Sequence, residues 1–179
     1  MRVPVLSVGL LAALAWTGTA AAAAAELQAT MRKVSENGTG AEIGTVTVTE
    51  GGGGAVFATD LHDLPPGDHG FHVHEKGDCG PGPNDQGLVV AGGAAGGHRD
   101  PEGTKQHLGP EGHGHLGDLP VLRVGADGTA REELTAPRIK DLGAVTGHAL
   151  VIQAGGDNYA DEPKPLGGGG ARIACGVIR

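Results

Sequence analysis

The strongest constraint on this chain is a segment that cannot fold on apolar burial alone. From Glu75 to Gly117 the sequence is dense in Gly, Pro, Asp and His and poor in large apolar residues. A loop of that length is uncommon in a compact domain unless it is functional, and ordering it costs conformational entropy that something must offset. Nine histidines occur, at positions 62, 69, 72, 74, 98, 107, 113, 115 and 148. His98, His107, His113 and His115 lie in this segment, and Asp118 follows it directly. Imidazole and carboxylate are donors suited to zinc and copper. The competing reading is a solvated polar loop, which leaves the ordering entropy without compensation.

Around this segment the chain reads as β structure. Short alternating or β-branched runs recur at Leu27–Val34, Ile43–Thr49, Ala55–Thr59, Phe71–His74, Leu119–Val124, Ala149–Gln153 and Arg172–Ile178. The four glycines at 51–54 predict a hairpin turn. No stretch shows a long helical period, which leaves a sandwich or Greek-key barrel as the natural architecture. Glycine is abundant, at 35 residues, but without the three-residue period of collagen. A second irregular loop runs from Gly155 to Gly170. No linker or internal repeat divides the chain.

The first 25 residues read as a separate element. Arg2 precedes an apolar run from Val3 to Trp16, and small residues from Ala20 to Ala25 offer cleavage sites, which is the layout of a secretory signal peptide. The apolar run is short for a membrane span. The expected organisation is therefore a signal peptide at 1–25 and one domain at 26–179, in the periplasm or outside the cell. Loss of Arg2 makes the net charge one unit more negative than the −8 of the full chain. An acidic domain repels nucleic acid and anionic membranes, so neither is expected as a partner. The two cysteines, Cys79 and Cys175, are expected to pair in an oxidising compartment, with two free thiols as the alternative. The bond would close a loop of roughly 97 residues, worth roughly 4.7 kcal/mol by loop entropy.

His72 and His74 have a distinct placement. On a strand, residues i and i+2 share a face, so two imidazoles stand side by side on rigid backbone. Together with the His-rich loop, the pair points to a metal. The runs Gly70-Phe-His-Val-His-Glu-Lys-Gly-Asp-Cys79, Gly96-Gly-His98, Gly114-His-Leu-Gly-Asp118 and Gly167-Gly-Gly-Gly-Ala-Arg-Ile-Ala-Cys-Gly-Val-Ile178 resemble the copper–zinc superoxide dismutases, in their bacterial exported branch. The resemblance spans nearly the whole chain after the leader. It implies an eight-stranded Greek-key β-barrel with two long functional loops. It implies that His72, His74 and His98 bind copper, and that His98, His107, His115 and Asp118 form a closed four-ligand zinc site. It makes His98 the bridge between the metals and Asp157 the carboxylate that hydrogen-bonds a ligand of each. Arg172 becomes the guide for the superoxide anion, and His98 is the second catalytic residue, since the family's bridging histidine leaves copper on reduction and takes up a proton. Lys76, Lys105 and Lys164 are weaker candidates for the same guidance. Cys79 and Cys175 match the family disulfide, and a homodimer is an assembly found in the family.

One residue departs from the family pattern. The strand before the second loop reads Ala149-Leu-Val-Ile-Gln153, and Gln153 stands where the family has its last copper histidine. His148, His113 and His69 are poorly spaced to replace it. An amide oxygen is a harder, weaker donor than imidazole, so the expected consequence is weaker copper binding and impaired turnover. The leading expectation is an enzyme that converts superoxide to dioxygen and hydrogen peroxide at copper beside a structural zinc. The alternative is a non-catalytic domain of the same fold that buffers copper or holds only zinc.

Overall fold

The computed structural model describes residues 25–84 and 86–179. The leader expected at 1–25 lies, but for Ala25, outside them. Strands β1 (Glu26–Ser35), β2 (Gly38–Gly51) and β3 (Gly54–Leu61) form an antiparallel meander. Gly51 pairs with Gly54, so the four-glycine run makes the predicted turn. β4 (Gly67–His69) and β5 (Phe71–His74) follow, separated only by Gly70. The long loop carries a small hairpin, β6 (Gly82–Pro83) with β7 (Val89–Val90). After it come β8 (Leu122–Val124), β9 (Glu133–Ala136), β10 (Ala149–Gln153) and β11 (Arg172–Val177).

The main sheet has the order β5-β10-β11-β1-β2-β3-β9, and β4 pairs with β8. Its paired strands run antiparallel. Taking β4 and β5 as one bent strand, and setting the loop hairpin aside, gives the eight strands of a Greek-key barrel. Alternation along each strand fills the interior. β1 contributes Ala29 and Met31, and β3 contributes Phe57 and Leu61. Phe57 meets Phe71 edge to face at 6.1 Å between ring centres, a favourable aromatic geometry. That contact turns Phe71 and Val73 into the barrel, and His72 and His74 therefore point away from it.

The outward face of β5 is nevertheless buried, because the long loop lies over it. His74 pairs across the ladder with Ala149 and His72 with Val151, so Gln153, two residues further along β10, belongs to the same outer face. Ala149 and Val151 pack with Ala95 and Cys175 in a second, smaller apolar cluster beneath the loop.

The strands differ from the expected runs in two places. The run Leu119–Val124 is a strand only from Leu122, because Pro120 has no N–H to give and the Val121 N–H is taken by the Tyr159 hydroxyl at 2.9 Å. β9 has no counterpart among the expected runs, since only Leu134 and Ala136 face inward and the segment is defined by its pairing with β3. The cysteines do pair. Cys79 in the loop joins Cys175 in β11, 96 positions apart in sequence with Cα atoms 5.7 Å apart. The C79S/C175S double variant should be less stable by about 2–5 kcal/mol in urea unfolding, because so long a loop is released in the unfolded chain. A difference below about 1 kcal/mol would show that the loop is held by other contacts.

Candidate metal centre

The centre is assembled on the free edge of β5. His72 is bridged to Asp118 and His74 to His98 in antiparallel fashion. Main-chain bonds lock the loop there: Val73 N–H donates to Gly117 O at 2.9 Å and Arg99 N–H to Val73 O at 2.8 Å. Glu75 ties the next turn, accepting from the Asp100 amide at 2.6 Å and from Arg99 Nη1 at 2.9 Å. Arg138 donates to the carbonyls of Gly114 and His115 at 2.8 and 3.1 Å. These contacts deliver His98, His107, His115 and Asp118 to one place, and all four are buried.

Asp118 lies at the middle of the loop donors. Its Oδ1 is 2.9 Å from His98 Nδ1 and 3.4 Å from His115 Nδ1, and its Oδ2 is 3.0 Å from His107 Nδ1. The His107 and His115 nitrogens reach it by distance yet have no hydrogen-bond partner, so they face a common point rather than the carboxylate itself. Asp157, from the second loop, accepts from two rings at once: His72 Nε2 at 2.8 Å and His107 Nε2 at 2.7 Å. Gly167 permits this approach, since a Cβ there would collide with Asp157 Oδ1. Asp161 steadies the same region by accepting from the His107 amide at 3.0 Å.

Each outer nitrogen held by an acceptor fixes a tautomer and turns the other lone pair inward. His72 is held by Asp157, and His74 Nδ1 by Gly96 O at 2.9 Å. The nitrogens left over, His72 Nδ1, His74 Nε2, His98 Nε2, His107 Nδ1 and His115 Nδ1, are all buried without a partner, and so is Gln153 Oε1. A buried polar atom without a partner costs roughly 1–3 kcal/mol. Five inward lone pairs and a carboxylate in one cluster fit the donor chemistry of zinc and copper. His72, His98, His107 and Asp118 present ligand atoms that all lie within 4.8 Å of one another. His72 joins that group because its ring stacks on His98 at 4.0 Å between centres.

Electrostatics separate the rings. Burial, with His72 as a further influence, lowers His98 to about 3. Burial and then the neighbouring His98 ring hold His74 well below the ordinary histidine value. Burial also lowers His72, although Asp157 opposes it. His107 is also pushed down by burial, but the Asp118 carboxylate 3.0 Å from its Nδ1 and the Asp157 carboxylate bonded to its Nε2 prevail and raise it to about 9. Both aspartates resist burial and stay well below the usual carboxylate range through those same histidines.

A cavity of about 530 Å³ opens beside the centre and is lined in part by Gly96, Gln153, Leu166 and Arg172. Arg172 donates to Gly92 O at 2.5 Å and to Gly96 O at 2.6 Å, so it shares the Gly96 carbonyl with His74. The remaining histidines stand apart. His62 is exposed and beside Asp63, and His113 is exposed. His148 donates to main-chain carbonyls at His74 and Glu75. His69 is buried, with its ring nitrogens 2.7 Å from Gln153 O and 2.8 Å from Pro65 O. Lys76, Lys105 and Lys164 are exposed. Arg138 and Asp161 had no sequence signal, because charged residues in loops read as surface until the chain is folded. His69 reads in the sequence only as a poor replacement ligand, and its place beside the Gln153 carbonyl appears only in the fold.

Residues 42–178 match the copper/zinc superoxide dismutase family model. Superoxide dismutase [Cu-Zn] 2 of Salmonella typhimurium is 53% identical over 174 residues, covering 97% of this chain and 98% of the relative. The solved Cu/Zn superoxide dismutase from Brucella abortus is 50% identical with a TM-score of 0.84, covering 87% of this chain and all of that one. The monomeric copper, zinc superoxide dismutase of Salmonella enterica, solved in solution, is 55% identical with a TM-score of 0.76 over 87% of this chain and all of that one. The fold, the buried donor cluster and these likenesses agree: the chain belongs to the copper/zinc superoxide dismutase family.

Proposed function

We propose that this chain dismutates superoxide, two anions and two protons giving one dioxygen and one hydrogen peroxide, in the periplasm or outside the cell. The observation that carries the reading is the set of buried, inward-facing lone pairs on a family barrel. Zinc is assigned to His98, His107, His115 and Asp118, a closed set of four donors. Copper is assigned to His72, His74 and His98, with Gln153 in the fourth position. When bound, copper supplies one-electron exchange with superoxide and zinc supplies a fixed positive charge. Family membership favours this enzyme over the non-catalytic alternative.

The chain's own residues prepare that chemistry. Asp157 holds His72 and His107, one ring from each assigned metal, so it keeps the two halves in a fixed relation. Burial keeps His98 from taking a second proton, so its Nε2 lone pair stays free; its Nδ1, 2.9 Å from Asp118 Oδ1, could hold the second metal only on losing its proton. Arg172 sits on the cavity wall beside Gly96 and His74 and presents positive charge to an arriving anion against the acidic background of the chain. The Cys79–Cys175 bond supports an oxidising compartment, in keeping with the leader read at 1–25. The monomer is supported by the Salmonella enterica relative, and the homodimer by the wider resemblance.

Replacing Arg172 with Ala should slow dismutation about tenfold or more at low ionic strength and flatten its dependence on salt, while Arg172→Lys keeps most of both. Pulse radiolysis across a salt series measures this, and an unchanged low-salt rate in the Ala variant would remove Arg172 from the mechanism. Asn at position 157 leaves one carboxamide oxygen where two carboxylate oxygens accept. Asp157→Asn should therefore weaken the binding of both metals by about 10–100-fold in chelator competition. Weakening of one metal alone would contradict the shared role.

A further inference from the structure

The side chain of Gln153 poses a problem that the barrel does not solve by itself. Gln153 ends β10 at a register shift against β11, and it is 5% exposed. Its main chain is gripped on both sides. The amide donates to Gly70 O at 2.9 Å, and the carbonyl lies 2.7 Å from the buried His69 Nδ1. The side chain thus leaves the strand in a fixed direction, on the same outer face as His72 and His74. Its Oε1 is buried and no donor of the protein reaches it. A buried amide oxygen normally finds a donor, so one without any calls for a positive partner of another kind.

The glycines around it say where the oxygen points. A Cβ on Gly169 would collide with Oε1, so this glycine is what gives the amide its room. A Cβ on Gly70 would lie 2.6 Å from Oε1 and 3.0 Å from His72 Cε1. The amide oxygen and the His72 ring edge next to Nδ1 therefore border the same small gap. His72 Nδ1 is itself unpartnered. Gln153 also lines the cavity that Arg172 lines, so the position is reached from the same mouth.

We infer that Gln153 Oε1 is a true donor in the copper position, giving it three imidazole nitrogens and one amide oxygen, and that this set retains cupric copper but releases cuprous copper. The inference rests on the assignment of His72, His74 and His98 made above. The chemistry is that of donor softness. Cu(II) accepts a neutral oxygen beside three nitrogens, whereas Cu(I) prefers soft donors and gains little from an amide oxygen. A site with one imidazole fewer than its relatives therefore loses most in the reduced state. Copper in this protein is best loaded as Cu(II), and reducing conditions without superoxide empty the site.

The test uses the chain without its leader, zinc-loaded and then given Cu(II), alongside Gln153→His and Gln153→Leu. In the wild type, electron paramagnetic resonance with nitrogen hyperfine resolution should show three coordinated nitrogens, and Gln153→His should show four. Gln153→Leu should bind Cu(II) at least tenfold more weakly than the wild type while keeping its zinc. Ascorbate then gives one electron to each Cu(II), passing to the ascorbyl radical, with bicinchoninate present to capture released Cu(I). The wild type should surrender its copper at a bicinchoninate concentration at least tenfold lower than Gln153→His requires. Equal retention in the two, or four nitrogens in the wild type, would overturn the inference. So would a Leu variant with unchanged Cu(II) affinity. Failure of both wild type and Gln153→His to bind Cu(II) would instead sink the copper assignment itself. Binding by Gln153→His alone would overturn only the donor role of Gln153.

Discussion

Everything at the centre depends on how the free edge of β5 is covered. β5 ends the main sheet, and an uncovered edge strand leaves backbone groups without partners. The polar loop after β5 supplies those partners, with His98 and Asp118 bridging to His74 and His72. The same step solves two problems. The strand edge is closed, and the donors on the loop are brought over the donors on the strand. The loop is too poor in apolar residues to hold this position by burial. It is held by main-chain pairing to Val73, by Glu75 and Arg138, by the Cys79–Cys175 bond and by the donor cluster it completes.

The two carboxylates divide the remaining work. Asp118 lies among the loop rings, within 2.9–3.4 Å of three imidazole nitrogens. Asp157 stands behind, on the second loop, and fixes the outer nitrogens of His72 and His107. Without Asp157 those rings could turn, and their inward lone pairs would lose direction. This arrangement accounts for the glycines of the second loop where it meets the centre. Gly167 and Gly169 stand where any Cβ would strike Asp157 or Gln153.

Much of this was legible in the sequence, for a physical reason. β5 and β10 have the bounds of the short runs expected at Phe71–His74 and Ala149–Gln153, and both are buried on both faces. The donors announced themselves because histidine is a scarce residue, and imidazoles paired on a strand and clustered in a Gly-rich loop suit little besides a metal. What stayed hidden was whatever depends on pairing between distant segments. β9 has too little apolar content to be seen without β3 beside it. The late start of the strand in the Leu119–Val124 run depends on Tyr159, 38 positions from Val121. Gln153 was visible as a departure, but its unpartnered oxygen and the grip of His69 on its carbonyl appear only in three dimensions.

The central claim is that the buried donors serve two adjacent positions that share His98. The cluster contains a rival, since His72, His98, His107 and Asp118 alone could surround a single ion. Anomalous diffraction from crystals of the metal-loaded protein, recorded at the copper and zinc edges, decides between them. Two peaks are predicted: zinc among His98, His107, His115 and Asp118, and copper among His72, His74, His98 and Gln153. One peak, held by His72, His98, His107 and Asp118 and leaving His74 and His115 aside, would contradict the account.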